Sequence, residues 1–210
     1  LVLDAKDAFS KQGLFLDAWK ELYPGMIEWV PATKDGRVTR VDVGARVLET
    51  EFGARHRVDV ANVVPPQRAG RIAVEAGLAD ASGWCPVSPR TLESRLVPGI
   101  HVVGDATIAQ PLPKSGFIAT AHGKHAVASA VAAIEGREAP EPVYFNTCYS
   151  LVGDDYGISV VGIFRAGPDG FVETPNSGGV TPRNPDARQR EMEAHNGEAW
   201  YRSITAATFG

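Results

Sequence analysis

The chain opens on an apolar triplet, Leu1-Val2-Leu3, ending in Asp4. The spacing of Leu14, Phe15, Trp19 and Leu22 then predicts a helix over 10–22. Pro24-Gly25 closes that helix and 26–30 reads as a returning strand, so the first thirty residues form a strand–helix–strand unit of a parallel sheet. After Asp35-Gly36, a strong hairpin dipeptide, the apolar positions alternate. Residues 38–43, 46–51 and 55–64 predict three strands of a half-buried antiparallel meander. Pro66 leads a predicted helix over 67–76, closed by Gly77. Pro86 and Pro89 keep the next stretch extended. Then come a short strand over 100–103, a Gly104-Asp105 turn, a loop punctuated by Pro111 and Pro113, and an Ala-rich helix to Ile134. Residues 136–142, charged and proline-bearing, read as a surface linker. An aromatic, β-favouring strand over 143–152 follows, turning at 154–157 into a return strand over 158–165. Pro168-Asp169-Gly170 turns into Phe171-Val172, and a polar helix over 188–204 carries Trp200 and Tyr201 near its end. The order of elements predicts an α/β protein with a β-meander and a small α+β C-terminal domain.

Bulk composition narrows the function classes. The 210 residues carry a net charge of −4, and no basic cluster interrupts them, which argues against a nucleic-acid partner. No run of 18 apolar residues occurs, so no membrane-spanning helix is expected. The chain starts without Met inside a strand pattern, and such an edge needs neighbours, so a piece of a longer polypeptide is expected. The absence of a leader then says nothing.

Several residues carry candidate chemistry. At Gly104 a backbone without Cβ lets a ligand approach, and the Asp105 carboxylate accepts hydrogen bonds from hydroxyls. The helix that follows offers unpaired N–H groups and the positive end of its dipole, with Lys114, Ser115 and Gly116 at its start. A polyol beside an electron-rich ring suits that surface. Asp4, at a strand end, is a candidate ribose ligand, with a solvated strand-end acid as the plainer reading. The two cysteines, Cys85 and Cys148, have no metal spacing; as residues alone they are buried small side chains, a pair, or include a reactive thiol. His122 and His125 lie three apart on the helix, but no third ligand follows at suitable spacing. Asp154 and Asp155 are adjacent in a turn and point different ways, which does not suit paired acid–base work.

The stretch from Pro98 to Lys114 resembles the second flavin-binding motif of the disulfide-reductase-like flavoproteins with two dinucleotide domains. The chain as a whole is similar to the flavoprotein subunit of flavocytochrome c sulfide dehydrogenases. The likeness rests on Trp84-Cys85-Pro86-Val87, Pro113-Lys114-Ser115-Gly116, Phe145-Asn146-Thr147-Cys148-Tyr149-Ser150, the Ser177-Gly178-Gly179-Val180-Thr181-Pro182 run and the terminal Thr208-Phe209-Gly210. This resemblance implies an incomplete dinucleotide-binding region of the FAD/NAD Rossmann-like type. Residues 1–80 would be a partial second, NAD-type domain with the meander, 81–137 the second segment of the FAD-binding domain, and 138–210 the family's C-terminal domain. It further implies FAD as cofactor, with Asp105 on the ribityl chain, the helix after Pro113 aimed at the pyrimidine end of the flavin, and Lys114 near its N1–C2=O edge. Cys148 would be one half of a redox-active disulfide that oxidises sulfide, its partner belonging to a segment outside this chain; Cys85 is the competing partner. Trp200 matches an aromatic near the flavin. Electrons would pass to a c-type haem subunit, in the periplasm. The alternatives are a sulfide:quinone oxidoreductase-like flavoprotein and a non-catalytic docking module for a cytochrome. Because Gly-x-Gly-x-x-Gly is absent, the chain alone is expected to bind FAD poorly and to be inactive.

Overall fold

The computed structural model describes all 210 residues. In chain order its elements are β1 (Val2–Leu3), α1 (Gln12–Leu22), β2 (Trp29–Val30), β3 (Val38–Asp42), β4 (Val47–Thr50), β5 (Arg55–Arg57), α2 (Arg71–Glu75), β6 (Cys85–Pro86), β7 (Thr107–Ile108), α3 (Gly116–Ile134), β8 (Val143–Gly153), β9 (Tyr156–Ala166), β10 (Phe171–Glu173), β11 (Gly179–Val180) and α4 (Ala187–Phe209). They divide into two compact units. The first comprises Leu1–Pro65, Leu151–Ile158 and Pro182–Gly210; the second comprises Pro66–Ser150 and Ser159–Thr181.

In the first unit β1 and β2 pair in parallel around α1, as their apolar pattern predicts. Phe9 packs against Phe15, Trp19 and Trp29 with ring centroids 5.6–6.0 Å apart, which supplies the apolar contact that so short a sheet needs. The meander β3-β4-β5 is antiparallel. Its third strand stops at Arg57, well short of Val64: the ladder with β4 ends at Val47↔Arg57, and one more bond, from the Val58 N–H to the Arg46 carbonyl at 2.9 Å, closes it. Asp35-Gly36 is not a hairpin. Asp35 sits at φ +68° after a 3-10 turn (Ala32–Lys34), and its carboxylate accepts from the Thr50 hydroxyl at 2.6 Å and the Phe52 N–H at 2.7 Å. Those bonds, Thr50's first, hold its carboxyl below the usual range and pin the β4–β5 turn. Asp4 accepts from the Trp29 indole N–H at 3.2 Å and the Lys6 N–H at 3.0 Å, so its carboxylate serves local structure. Around α4, Gly157 lies against the backbone of Ala194. The buried Arg190 places its guanidinium 4.4 Å over the Tyr156 ring.

The second unit holds the larger core, in which Leu92, Val102, Ile118, Tyr144, Phe164 and Phe171 are buried. Its sheet joins β9 to β8, β10 and β11. Two sequence expectations change here. The helix over 67–76 shrinks to α2, since the Ala69 N–H bonds to the Gly83 carbonyl and Gly70 becomes the N-cap; Gly77, at φ +71°, still closes it. The strand over 100–103 is only an isolated bridge, Glu93↔His101, and the strand that leads towards α3 is β7, parallel to β6.

Candidate active site

The site grows from the turn between that bridge and α3, entirely within the second unit. Residues Gly104–Ala106 form a 3-10 turn. Gly104 sits at φ +66°, and a Cβ there would meet the Ala119 Cβ at 3.2 Å, so α3 packs directly beneath the turn. The Thr107 hydroxyl donates to the Gly104 carbonyl at 2.8 Å. The Gly104 N–H donates to Nδ1 of His122 at 3.2 Å, which places the imidazole proton on Nε2. His122 is 1% exposed, its Nε2 has no hydrogen-bond partner, and burial, then His125, pushes its pKa down to about 4. A cavity of about 20 Å³ lies between the turn and the helix, lined by Gly104, Asp105, Lys114, Ile118 and His122 among others. That is room for a single water.

Asp105 is exposed at the rim of this cavity. Lys114 is folded back: its ammonium donates to the carbonyls of Asp105 and, at 3.2 Å, Thr107, and lies 3.8 Å from the Trp84 ring centroid. Burial lowers its pKa, against the opposing pull of Asp105 and Cys85. Ser115 caps α3, accepting from the Ile118 N–H at 3.1 Å, and Gly116, which begins the helix, is exposed. An exposed carboxylate beside a capped helix start, over a turn with no Cβ to block it, is a donor–acceptor set that fits the hydroxyl chain and ring of a flavin nucleotide.

Cys148 joins the same place. Ser115 donates to Oδ1 of Asn146 at 2.7 Å, and Nδ2 of Asn146 donates to Sγ of Cys148 at 3.4 Å. Cys148 is partly exposed on β8. Cys85 is 0% exposed in the core, with its thiol pushed up by burial and then by Asp80, and no bond joins it to Cys148. The structure thus gathers Gly104, Asp105, Lys114, Ser115, Gly116 and Cys148 into one unit. Trp200 lies on α4, in the first unit. His125 turns away from His122's site, its Nε2 lying 2.6 Å from the Arg90 carbonyl, and no group of three or more metal-ligating side chains forms. Asp154 and Asp155 form the β8–β9 turn.

Sequence reasoning missed His122, Asn146 and Trp84 as members of the site. Asn146 had a signal, since two positions before Cys148 on a strand is the same face. His122 and Trp84 had none, because only packing brings them to the turn.

Comparison with known proteins places the two ends of the chain in one family. A family model described as the central part of the sulfide dehydrogenase [flavocytochrome c] flavoprotein chain matches residues 1–65. A second, described as the flavin-binding part of flavocytochrome c sulphide dehydrogenase, matches residues 140–209, and the two together take in well over half of the chain. The flavin-binding description agrees with FAD as the expected cofactor. Among solved structures, the fold is similar to the sulfide:quinone oxidoreductase of the hyperthermophilic bacterium Aquifex aeolicus, with a TM-score of 0.57 and 14% identity. That likeness covers 96% of this chain and 48% of the other, so the chain spans about half of that enzyme's length. It bears on the fold, and agrees with the α/β dinucleotide-binding type expected from the sequence. No helix is long and apolar enough to cross a membrane.

Proposed function

We propose, since this chain belongs to the flavocytochrome c sulfide dehydrogenase flavoprotein family, that it is the C-terminal portion of an FAD-dependent enzyme that oxidises sulfide and delivers the electrons to a c-type cytochrome subunit in the periplasm. The observation that carries the reading is the hydrogen-bonded path from the start of α3 to Cys148, which sets a thiol beside the surface that fits a flavin. Bound FAD supplies a two-electron acceptor. Asp105 would accept hydrogen bonds from the ribityl hydroxyls, and the turn at Gly104, with no Cβ, would admit them closely. The first turn of α3 would turn the positive end of its dipole to the flavin ring and favour the negative charge of the reduced form. Lys114 braces the turn through its two carbonyl bonds and contributes positive charge from behind it.

Cys148 is one half of a disulfide whose other cysteine comes from outside these residues; Cys85, sealed in the core, is the structural thiol. Hydrosulfide attacks one sulfur of that disulfide, the S–S bond breaks, and the second sulfur leaves as a thiolate with the electron pair. The quinone-linked alternative is weakened by α4, whose opening, Arg188 to Glu193, is densely charged and poorly suited to a bilayer surface. The test is sulfide:cytochrome c reductase turnover of the complete flavoprotein beside its Cys148→Ser variant. Turnover should vanish while flavin is retained; unchanged turnover removes Cys148 from the mechanism.

A further inference from the structure

The geometry points to Asn146 as a positioning residue that holds Cys148 in one orientation and couples its sulfur to the N-terminus of α3. The inference rests on the proposed role of Cys148 and adds a residue to it. Asn146 is 2% exposed, so water does not compete for its amide. Ser115 has a single hydroxyl hydrogen. Its oxygen accepts from the Ile118 N–H at 3.1 Å, and its hydrogen goes to Oδ1 of Asn146 at 2.7 Å. With Oδ1 committed to that bond, the amide's NH₂ is turned towards Cys148, where Nδ2 lies 3.4 Å from Sγ. The reverse contact, from the thiol to Oδ1, is longer at 3.7 Å. The amide is therefore a better donor to a thiolate than an acceptor from a thiol, and hydrogen bonds to the charged form favour that form.

The chain of donors runs one way. The Ile118 N–H of α3 polarises the Ser115 hydroxyl, which polarises the Asn146 amide, which donates to sulfur. Asn146 and Cys148 share a face of β8 two residues apart, so the strand fixes their separation. When a disulfide opens and one sulfur leaves as a thiolate, such a donor stabilises that sulfur and keeps it near the helix start.

The test reads the thiol directly, without sulfide or flavin. Alkylation of Cys148 by iodoacetamide is followed against pH by peptide-resolved mass spectrometry, which separates it from Cys85. Asn146→Ala and the isosteric Asn146→Asp should each move the midpoint of the profile up by about one unit, slowing alkylation about tenfold at neutral pH. The plateau at high pH should stay within about twofold. Ser115→Ala should shift the midpoint in the same direction by less, and Ser115→Thr, which keeps the hydroxyl, should restore it. Unchanged midpoints in folded Asn146 variants overturn the proposal. Should those variants fail to fold, equal midpoints for Ser115→Ala and Ser115→Thr overturn it instead. A Cys148 that proves dispensable for sulfide turnover leaves the midpoint shift in place, so the two readings fail separately.

Discussion

Gly104 and His122 show how much of the site depends on single side chains. At φ +66°, with the Ala119 Cβ 3.2 Å from where a Cβ would stand, Gly104 is in a conformation that L residues enter at a cost of about 1–2 kcal/mol. Gly104→Ala should therefore lower the thermal midpoint by several degrees, read by circular dichroism. His122 is buried neutral, with Nδ1 accepting from Gly104. Its folded pKa of about 4 lies below the ordinary histidine value of 6.5, so the unfolded chain binds more protons between those values. Its contribution is fully present above pH 6.5 and is lost as pH falls towards 4, an effect of about 3 kcal/mol. Urea unfolding at pH 7, 5 and 4 should show that slope, and His122→Asn should lack it. A variant with the parent's slope would show that another group is responsible.

Among the elements, α3 and the β8–β9 hairpin do the positioning. The helix begins at a serine that both caps it and reaches β8, and it ends on exposed apolar positions, Val131 and Ile134. In the first unit the hairpin tip meets α4 through Gly157, where a Cβ would fall well inside contact distance of the Ala194 backbone nitrogen. Backbone cannot give way as a flexible side chain does, so Gly157→Ala should destabilise the first unit by about 3 kcal/mol or more, measured by urea unfolding. A neutral result would mean that the tip seats differently. These elements were readable to different degrees. The aromatic, β-favouring β8 with its return strand β9, the periodic α1, the Ala-rich α3 and the polar α4 announce themselves within a few residues of their ends. The short pieces do not, because β5, α2 and β7 end where a neighbour stops offering hydrogen bonds, which local pattern does not encode. Asp35-Gly36 shows the same limit: a hairpin dipeptide was claimed by three hydrogen bonds from the meander.

For the molecule as a whole, both units are assembled from separated stretches of chain, so neither is complete until the C-terminal third has been added. The half-length match to its structural relative and the missing Gly-x-Gly-x-x-Gly lead to one expectation for the isolated chain. It should retain FAD far below one per chain, measured by flavin absorbance after purification; a stoichiometric yellow protein would overturn this. Non-reducing peptide mapping should find no Cys85–Cys148 link, since Cys85 is sealed in the core. By itself the sequence determined the class of elements and the Gly104-Asp105 turn before a helix, because periodicity and the special freedom of glycine are local properties; Cys148 stood out only through the family resemblance. Only the tertiary structure decided that His122 fixes the turn, that Lys114 folds back over Trp84, and that Asn146 links the helix start to the cysteine. Those are contacts between residues 18 to 31 positions apart, and nothing but packing brings them within hydrogen-bonding or van der Waals reach.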